Sequence, residues 1–212
     1  MTQRWKQRPE GSNWGDFGAD DELGRLNLLT AEKVRQGVAE VREGIAFCLS
    51  LPLDYPGGAK LNPRRHPPEI TPTVRGDTPY MNFPMERHDP RNTDVVSDDR
   101  VLLTLQYSTQ WDSLAHVGAW FDADDDGTPE MVYYNGFRAG EHVVGPIDYA
   151  GGHDAACGGP FGARRLGIEN MAAKAIQGRG VLVDLHRHFG TDRTLIGFDQ
   201  LTQVMRADDI TV

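Results

Sequence analysis

Prolines constrain the fold of this chain more than any other feature of its sequence. Eight of the 13 prolines fall within residues 54–100, and several glycines accompany them. Proline fixes φ and has no backbone N–H, so neither a long helix nor a central strand can run through this stretch. Irregular chain of this length is uncommon inside a compact domain and more often serves binding than packing. The longer regular elements are therefore expected before and after it.

Hydrophobic periodicity predicts two elements ahead of the proline-rich stretch. Thr30 is a suitable N-cap, valines recur at helical spacing from Val34 to Val41, and Gly44 is a typical stop. We therefore predict a helix here. Apolar residues then alternate along residues 45–53, which predicts a strand.

The second half of the chain mixes strand and helix patterns. We predict a buried strand over residues 101–105, an acidic turn over 121–130 followed by a strand over 131–134 in a hairpin or meander, a helix over 163–176 and a buried strand over 181–183. Together these elements predict an α/β or α+β domain, of which we take α/β (mixed) as the fold class.

Length and local composition predict one domain with an N-terminal extension. Residues 1–30 are rich in Gly, Asp and Asn and are expected to form an arm that wraps the body or a neighbouring subunit. Residues 31–212 are long enough for a single core. The last residues, 207–212, are typical of the opening of a helix, so we expect this domain to be truncated at its C-terminus.

Charge and hydropathy narrow the choice of partners. The chain has 31 acidic and 22 basic residues and a net charge of -9, which repels phosphate backbones and anionic membranes. Neither nucleic acid nor a membrane is therefore an expected partner. The chain has no run of 18 apolar residues and no apolar signal-peptide core near its N-terminus, so a cytoplasmic location is expected. The two cysteines are far apart and indicate neither a disulfide framework nor a thiolate zinc site.

Polar residues follow the predicted strand 101–105. If the extended conformation continues, Gln106, Ser108, Gln110 and Asp112 share one face, and His116 follows after a short loop. Oxygen-bearing side chains and an imidazole at one strand end predict a reaction centre. The ordinary alternative is that these groups satisfy one another and the local backbone.

This segment resembles the HxGTHxDxPxH signature of the cyclase family, which includes bacterial kynurenine formamidase and isatin hydrolase. Thr109, Asp112 and His116 match the signature, whereas Gln106 and Gln110 stand where the family has histidine. A branch of larger cyclase-family proteins is more similar still, because it shares TQWDxLAH followed by YYNG. The resemblance extends over most of the chain, in segments 13–15, 24–29, 109–116, 133–136 and 178–184.

The resemblance implies a fold and a set of roles. The implied fold is a swivelling β/β/α domain whose central mixed sheet is flanked by helices. In the family, the two early histidines and the aspartate bind a divalent metal, and the last histidine shuttles a proton. Position by position, this implies Asp112, Gln110 and Gln106 as metal ligands and His116 as the general acid/base.

The resemblance also implies a substrate site and an activity. The expected substrate-binding residues are those in and after the signature: Trp111, Tyr133, Tyr134 and Asn135. The expected activity is metal-dependent hydrolysis of an amide, lactam or formamide-type C–N bond in a small molecule, by a homodimer or homotetramer.

The two glutamines leave both the metal and the activity open. Amide oxygens are weaker zinc ligands than imidazole and favour oxygen-preferring ions, so Mn or Zn is expected if a metal is bound. The family also draws a His and a Glu from the C-terminal part of its fold, for which this chain offers His153, His186 and His188. The alternative is a catalytically silent relative that binds a small molecule or serves as an assembly subunit.

A second metal-like motif lies in the acidic turn. Residues 122–127 read DADDDG, the first half of an EF-hand loop, but position 12 of such a loop is Tyr133 rather than glutamate. We therefore interpret this segment as a solvated acidic turn in preference to a calcium site.

Overall fold

The computed structural model describes residues 3–55, 62–149, 155–156 and 160–211, and it divides the chain into two compact units. The first unit comprises Met1–Gly44 and Ser113–Val212, and the second comprises Ile45–Asp112. The single domain expected over residues 31–212 stays a prediction. No helix within the described ranges combines the length and apolarity needed to cross a membrane.

The described residues contain short helices and short strands. The helices are α1 (Ala31–Ala39), α2 (Ile168–Lys174), α3 (Leu185–Phe189) and α4 (Phe198–Ala207), with 3₁₀ turns at Gly24–Leu28, Met85–Arg87 and Tyr134–Gly136. The strands are β1 (Glu69–Pro72), β2 (Val74–Arg75), β3 (Thr78–Pro79), β4 (Phe83–Pro84), β5 (Val95–Val96), β6 (Asp99–Leu102), β7 (Ala119–Phe121), β8 (Glu130–Val132), β9 (Val143–Val144), β10 (Ile147–Asp148), β11 (Ala155–Ala156) and β12 (Gly162–Ala163).

All strand pairs in the described residues are antiparallel and two-stranded. They are β1 with β6, β2 with β3, β4 with β5, β7 with β8, β9 with β12 and β10 with β11. A central mixed sheet is not among these elements, and the swivelling β/β/α architecture stays a prediction.

The first unit is organised around an aromatic core that the N-terminal arm helps to build. Trp5 and Trp14 of the arm pack edge to face, with ring centroids 5.7 Å apart, and join Val132, Phe137 and Leu166 in one buried cluster. The backbone N–H of Lys6 donates to the carbonyl of Ala123 at 2.7 Å. The arm therefore packs against the body of its own unit.

The predicted hairpin forms within this unit. Strand β7 pairs with β8 so that Ala119 faces Val132 and Phe121 faces Glu130, and the acidic turn connects them. The predicted hairpin is confirmed, but its second strand is Glu130–Val132 rather than residues 131–134, and Tyr134 lies in a 3₁₀ turn.

Helix α1 begins where the sequence predicts. The Thr30 hydroxyl accepts a hydrogen bond from the backbone N–H of Lys33, as an N-cap does. The helix ends at Ala39, five residues before Gly44, and Val38 and Val41 are exposed. The apolar stripe of this helix is therefore only partly used for packing.

Two predicted strands are wrong. Residues 45–53 and 181–183 have no strand assignment, and no ladder pairs them with another described segment. Alternation makes a segment fit for a strand, but a strand exists only where a partner supplies the ladder hydrogen bonds. The predicted buried strand 101–105 is also corrected, because β6 ends at Leu102 and is exposed along its length.

Two helix predictions need new bounds. Helix α2 is shorter than predicted, because Leu166 at φ 66° and Ala175 at φ 58° adopt left-handed conformations on either side of it. The segment before residue 207 forms α4, which ends where a helix was predicted to open. Leu201, Val204 and Met205 supply the helical spacing that the sequence analysis missed.

Candidate functional site

The segment from Gln106 to His116 is irregular. Strand β6 ends at Leu102, and the backbone N–H of Tyr107 then donates to the Thr104 carbonyl at 2.9 Å, which closes a turn. The extended conformation therefore does not continue, and period-2 geometry does not place Gln106, Gln110 and Asp112 on one face. That prediction is wrong because the turn changes the direction of the chain before the motif begins.

The second unit nevertheless brings two of the predicted ligands together. The Gln110 side-chain Nε2 donates to Asp112 Oδ1 at 3.0 Å, and both side chains are exposed. The loop is tied to residues 52–55, because Ser108 Oγ lies 3.0 Å from the Pro52 carbonyl and 2.6 Å from that of Tyr55. Gln106, which is half-buried, accepts a hydrogen bond from Arg65 through its backbone carbonyl at 2.8 Å.

The boundary between the two units divides the motif. Asp112 is the last residue of the second unit, whereas His116 lies in the first unit, in a turn closed by its backbone N–H and the Ser113 carbonyl at 3.0 Å. The imidazole of His116 is exposed. A shared cavity for Asp112 and His116 stays a prediction.

Asn135 lies in the core of the first unit. It is fully buried at φ 56°, and its Nδ2 donates to the carbonyls of Gly18 at 3.0 Å and Asp21 at 2.9 Å. Its Oδ1 accepts from the backbone N–H of Gly15 at 2.8 Å. All of these contacts hold the N-terminal arm, and the predicted substrate contact of Asn135 stays a prediction.

Tyr134 anchors the same arm. Its hydroxyl donates to Asp21 Oδ2 at 2.8 Å, and burial, followed by the hydrogen bond and charge of Asp21, raises the pKa of the Tyr134 phenol well above its ordinary value. The phenol is therefore a fixed hydrogen-bond donor rather than an acid/base group.

The other two predicted substrate-binding aromatics differ in exposure, because Tyr133 is half-buried and Trp111 is exposed.

Asp21 is an important residue that the sequence analysis missed. Besides Tyr134, its carboxylate accepts from the backbone N–H of Gly24 at 2.7 Å and from Asn27 Nδ2 at 2.6 Å. Its carboxylate also accepts from the backbone N–H of Leu23, two residues on, and this tendency of aspartate to form an Asx-turn is the signal that could have identified it.

The acidic turn contains a group of carboxylates with metal-ligand spacing. One oxygen from each of Asp122, Asp124 and Asp126 lies within 4.8 Å of the others. The Asp122 carboxylate accepts from the backbone N–H groups of Asp126 at 3.1 Å and Gly127 at 2.9 Å, as expected for a side-chain-capped turn. These residues could hold a cation, but their hydrogen bonds are also those of the solvated turn that we predicted.

Of the histidines considered as C-terminal ligands, two lie in described segments. His188 Nε2 is 2.9 Å from Asp208 Oδ2, which links α3 to α4, and His186 is exposed on α3. His153 lies outside the described residues.

Comparison with known proteins supports a class for this chain. No protein-family model matches it, and no curated protein matches it. Among solved structures, the chain is similar to one described as a novel cyclase, with 28% sequence identity and a TM-score of 0.63 over 94% of this chain. The chain spans 57% of the length of that cyclase. This similarity in fold and sequence supports a cyclase family.

Proposed function

We propose that this chain belongs to a metal-dependent hydrolase that cleaves an amide, lactam or formamide-type C–N bond, as in the kynurenine formamidase-like part of the cyclase family and its larger TQWDxLAH branch. The observation that supports this proposal is the similarity to the novel cyclase over 94% of the chain. The signature residues Thr109, Asp112 and His116 add the chemistry.

The donor set of the second unit fits an oxygen-preferring divalent ion. Asp112 supplies a carboxylate next to the Gln110 amide, and Gln106 offers a further amide; these three residues would hold the ion. A bound divalent cation would favour ionisation of a water molecule and polarise a carbonyl group. Mn fits this donor set better than Zn, because only neutral or anionic oxygens are available here.

His116 would act as the general acid/base. A neutral imidazole would accept a proton from the attacking water and return it to the leaving nitrogen, so that no strong base or amide anion forms. The proposed substrate-binding residues are those that the resemblance implies: Trp111, whose side chain is exposed, Tyr133, which is half-buried, and Tyr134 and Asn135.

The two glutamines favour one alternative, a catalytically silent relative. The Gln110 amide N–H donates to Asp112 and occupies a lone pair that would otherwise bind a metal, which is the arrangement expected where a metal site has been lost. Such a protein would bind a small carbonyl compound or act as an assembly subunit.

We further propose a cytoplasmic homodimer or homotetramer with a small-molecule substrate and no nucleic-acid or membrane partner. The net charge of -9 supports the exclusion of polyanions. The oligomer is supported by the exposed apolar side chains of the second unit, for example Phe47, Leu49 and Leu102.

Metal content and hydrolysis test the proposed function together. After incubation with Mn²⁺ or Zn²⁺ and gel filtration, we expect stoichiometric metal in the purified chain and in the control Asp77→Ala, which changes an exposed turn. Asp112→Ala should lose the metal. Metal-loaded protein should hydrolyse formanilide or a simple lactam, and absence of both metal and turnover would favour the silent relative.

His116→Ala separates catalysis from metal binding. We expect it to retain metal and fold while losing about 100-fold or more in turnover, the usual range for removal of a general acid/base. The exposed His66→Ala is the matched control and should retain activity. Unchanged turnover in His116→Ala would contradict the assigned role.

A further inference from the structure

A pocket of about 380 Å³ lies in the first unit, beside helix α1. Its volume falls in the range of small-molecule sites. Seven residues line it: Arg25, Leu28, Leu29, Lys33, Gln36, Arg179 and Val181. They come from two stretches that are distant in sequence, residues 25–36 and 179–181, so no single local motif identifies them all.

Two glycines lie directly beside the lining residues of this pocket in sequence and allow their backbones to approach. Gly37 of α1 lies so close to the segment after α2 that a Cβ at this position would be 2.6 Å from the carbonyl carbon of Gly178. A Cβ at Gly178 would in turn lie 3.3 Å from Leu29 Cδ2. The two backbones are therefore in direct contact, and the Thr30 cap fixes where the helix begins. The lining side chains therefore extend from two backbone segments that pack directly against each other.

The polar lining is cationic. Arg25, Lys33 and Arg179 contribute three positive charges, and no carboxylate is among the lining residues of this pocket. In the described part of the chain, Arg25 and Lys33 form no ion pair, and Arg179 donates from Nη2 to the Thr211 carbonyl at 2.8 Å. Three cations that have no carboxylate partner among the described residues stand out in a protein whose net charge is -9.

The rest of the lining is aliphatic. Leu28, Leu29 and Val181 face the same space as the three cations, and Leu28 and Val181 are exposed. Covering these side chains with a hydrocarbon group would be favourable by about 25 cal/mol for each Å² removed from water. Inorganic phosphate could use the charges but not this apolar surface.

We propose that this pocket binds a small organic carboxylate with an aliphatic or aromatic body. The guanidinium groups of Arg25 and Arg179 match the geometry of a carboxylate, and the Lys33 ammonium adds a third charge. The hydrocarbon body lies against the two leucines and Val181, and Gln36 offers an amide at the rim. This inference does not depend on the proposed hydrolase function.

Binding of hexanoate, measured by calorimetry, tests the site. We expect saturable binding to the wild-type chain and about tenfold weaker binding to Lys33→Gln, because a charge-assisted hydrogen bond is lost. Lys174→Gln is the matched control, since it removes the same charge from α2 in the same unit, and it should bind as the wild type does.

Two further probes test the chemical class. Leu28→Ser should weaken hexanoate binding by about threefold or more, because apolar contact is lost, and leave acetate binding unchanged. Inorganic phosphate should bind more weakly than hexanoate. No saturable hexanoate binding, equal losses in Lys33→Gln and Lys174→Gln, or phosphate binding as tight as that of hexanoate would each overturn the proposal.

Discussion

Asn135 is a single side chain that holds together segments more than 100 residues apart. Its amide makes three hydrogen bonds to the backbone of residues 15–21, and no water can reach it. The left-handed conformation at φ 56° further restricts what can replace it, because asparagine tolerates this region better than most residues. The sequence identified this residue as part of a motif, but its partners lie too far away in the chain to be predicted.

Asn135→Ala should therefore destabilise the first unit strongly. It removes three hydrogen bonds between Asn135 and the backbone of residues 15–21 and keeps a strained backbone, which together cost about 3 kcal/mol. Asn135→Asp should lose at least as much stability, because it buries a carboxylate whose second oxygen would face the carbonyls of Gly18 and Asp21 in place of the amide donor. Urea unfolding followed by tryptophan fluorescence measures both variants, and a loss below about 1 kcal/mol in the alanine variant would contradict this account.

His142 links the stability of the same unit to pH. Burial lowers the pKa of its imidazole below the ordinary value of 6.5, and the positive charges of Arg4, Arg165 and Arg138 lower it further, while Glu141 opposes the shift. The ring nitrogen Nδ1 accepts from the backbone N–H of Arg138 at 3.1 Å, which requires that nitrogen to be unprotonated. The folded state therefore holds His142 neutral.

The sign of the pH dependence follows from this pKa. As the pH falls, the unfolded chain takes up the His142 proton at a higher pH than the folded chain does. The contribution of neutral His142 to the free energy of unfolding is therefore fully present above pH 6.5 and decreases as the pH falls toward the folded-state pKa. We expect His142→Gln, which cannot titrate, to have a shallower loss of stability below pH 6.5. Identical slopes for the two proteins in urea titrations at several pH values would contradict this role.

Among the secondary-structure elements, those with local signals could be predicted and those that need distant partners could not. The start of α1 follows from the Thr30 hydroxyl, and the β7–β8 hairpin follows from an acidic turn beside a short apolar strand. Residues 45–53 alternate but have no partner strand in the described chain, so their pattern alone gave a wrong prediction. The contact of α1 with Gly178 was also invisible, because nothing in the helix sequence specifies which backbone it meets.

That contact reverses the usual effect of removing a helical glycine. Replacing glycine by alanine inside a helix normally stabilises it by about 1 kcal/mol. In Gly37→Ala the new Cβ would meet backbone atoms of residues 178 and 179 at 2.6–2.9 Å, and backbone cannot move aside cheaply. We expect a net loss of about 2 kcal/mol, within the range for overpacking, and weaker hexanoate binding.

Gly180→Ala is the matched control for this variant. A Cβ at Gly180 meets no atom within 4 Å, so stability and hexanoate binding should stay close to those of the wild type. Thermal or urea unfolding with calorimetric binding measures both changes. A Gly37→Ala variant that is more stable than the wild type would show that α1 does not pack directly on this segment.

At the scale of the whole molecule, the residues of the candidate site could be predicted from the sequence, but their arrangement in space could not. The residues of the signature could be named from the sequence, and Gln110 and Asp112 do meet. The division of the chain after Asp112 could not be predicted, because it depends on which distant segments pack together. The charge of -9 is a sum over residues and could be read directly.

The accessible surface is far larger than that of a self-sufficient chain. It amounts to 15994 Å², whereas a globular monomer of this mass exposes about 9,800 Å² and two separate globules of the sizes of the two units about 11,600 Å². The chain therefore exposes more surface than two separate globules would, and the difference is larger than the area that a stable protein interface buries. Much of it is apolar, including the alternating side chains of residues 45–53, and this segment has no strand partner in the described chain.

The proposed homo-oligomer accounts for this surface. An unpaired, alternating segment can pair with the same segment of a second copy about a twofold axis, which satisfies its backbone and covers its side chains.

We expect sedimentation equilibrium to show a dimer or tetramer. Leu49→Lys should shift it toward monomer, because the charge would be buried without a partner. Leu195→Lys is the matched control, since Leu49 and Leu195 are each 87% exposed and only Leu49 lies in the alternating segment. A wild-type monomer, or equal dissociation by both substitutions, would contradict this interface.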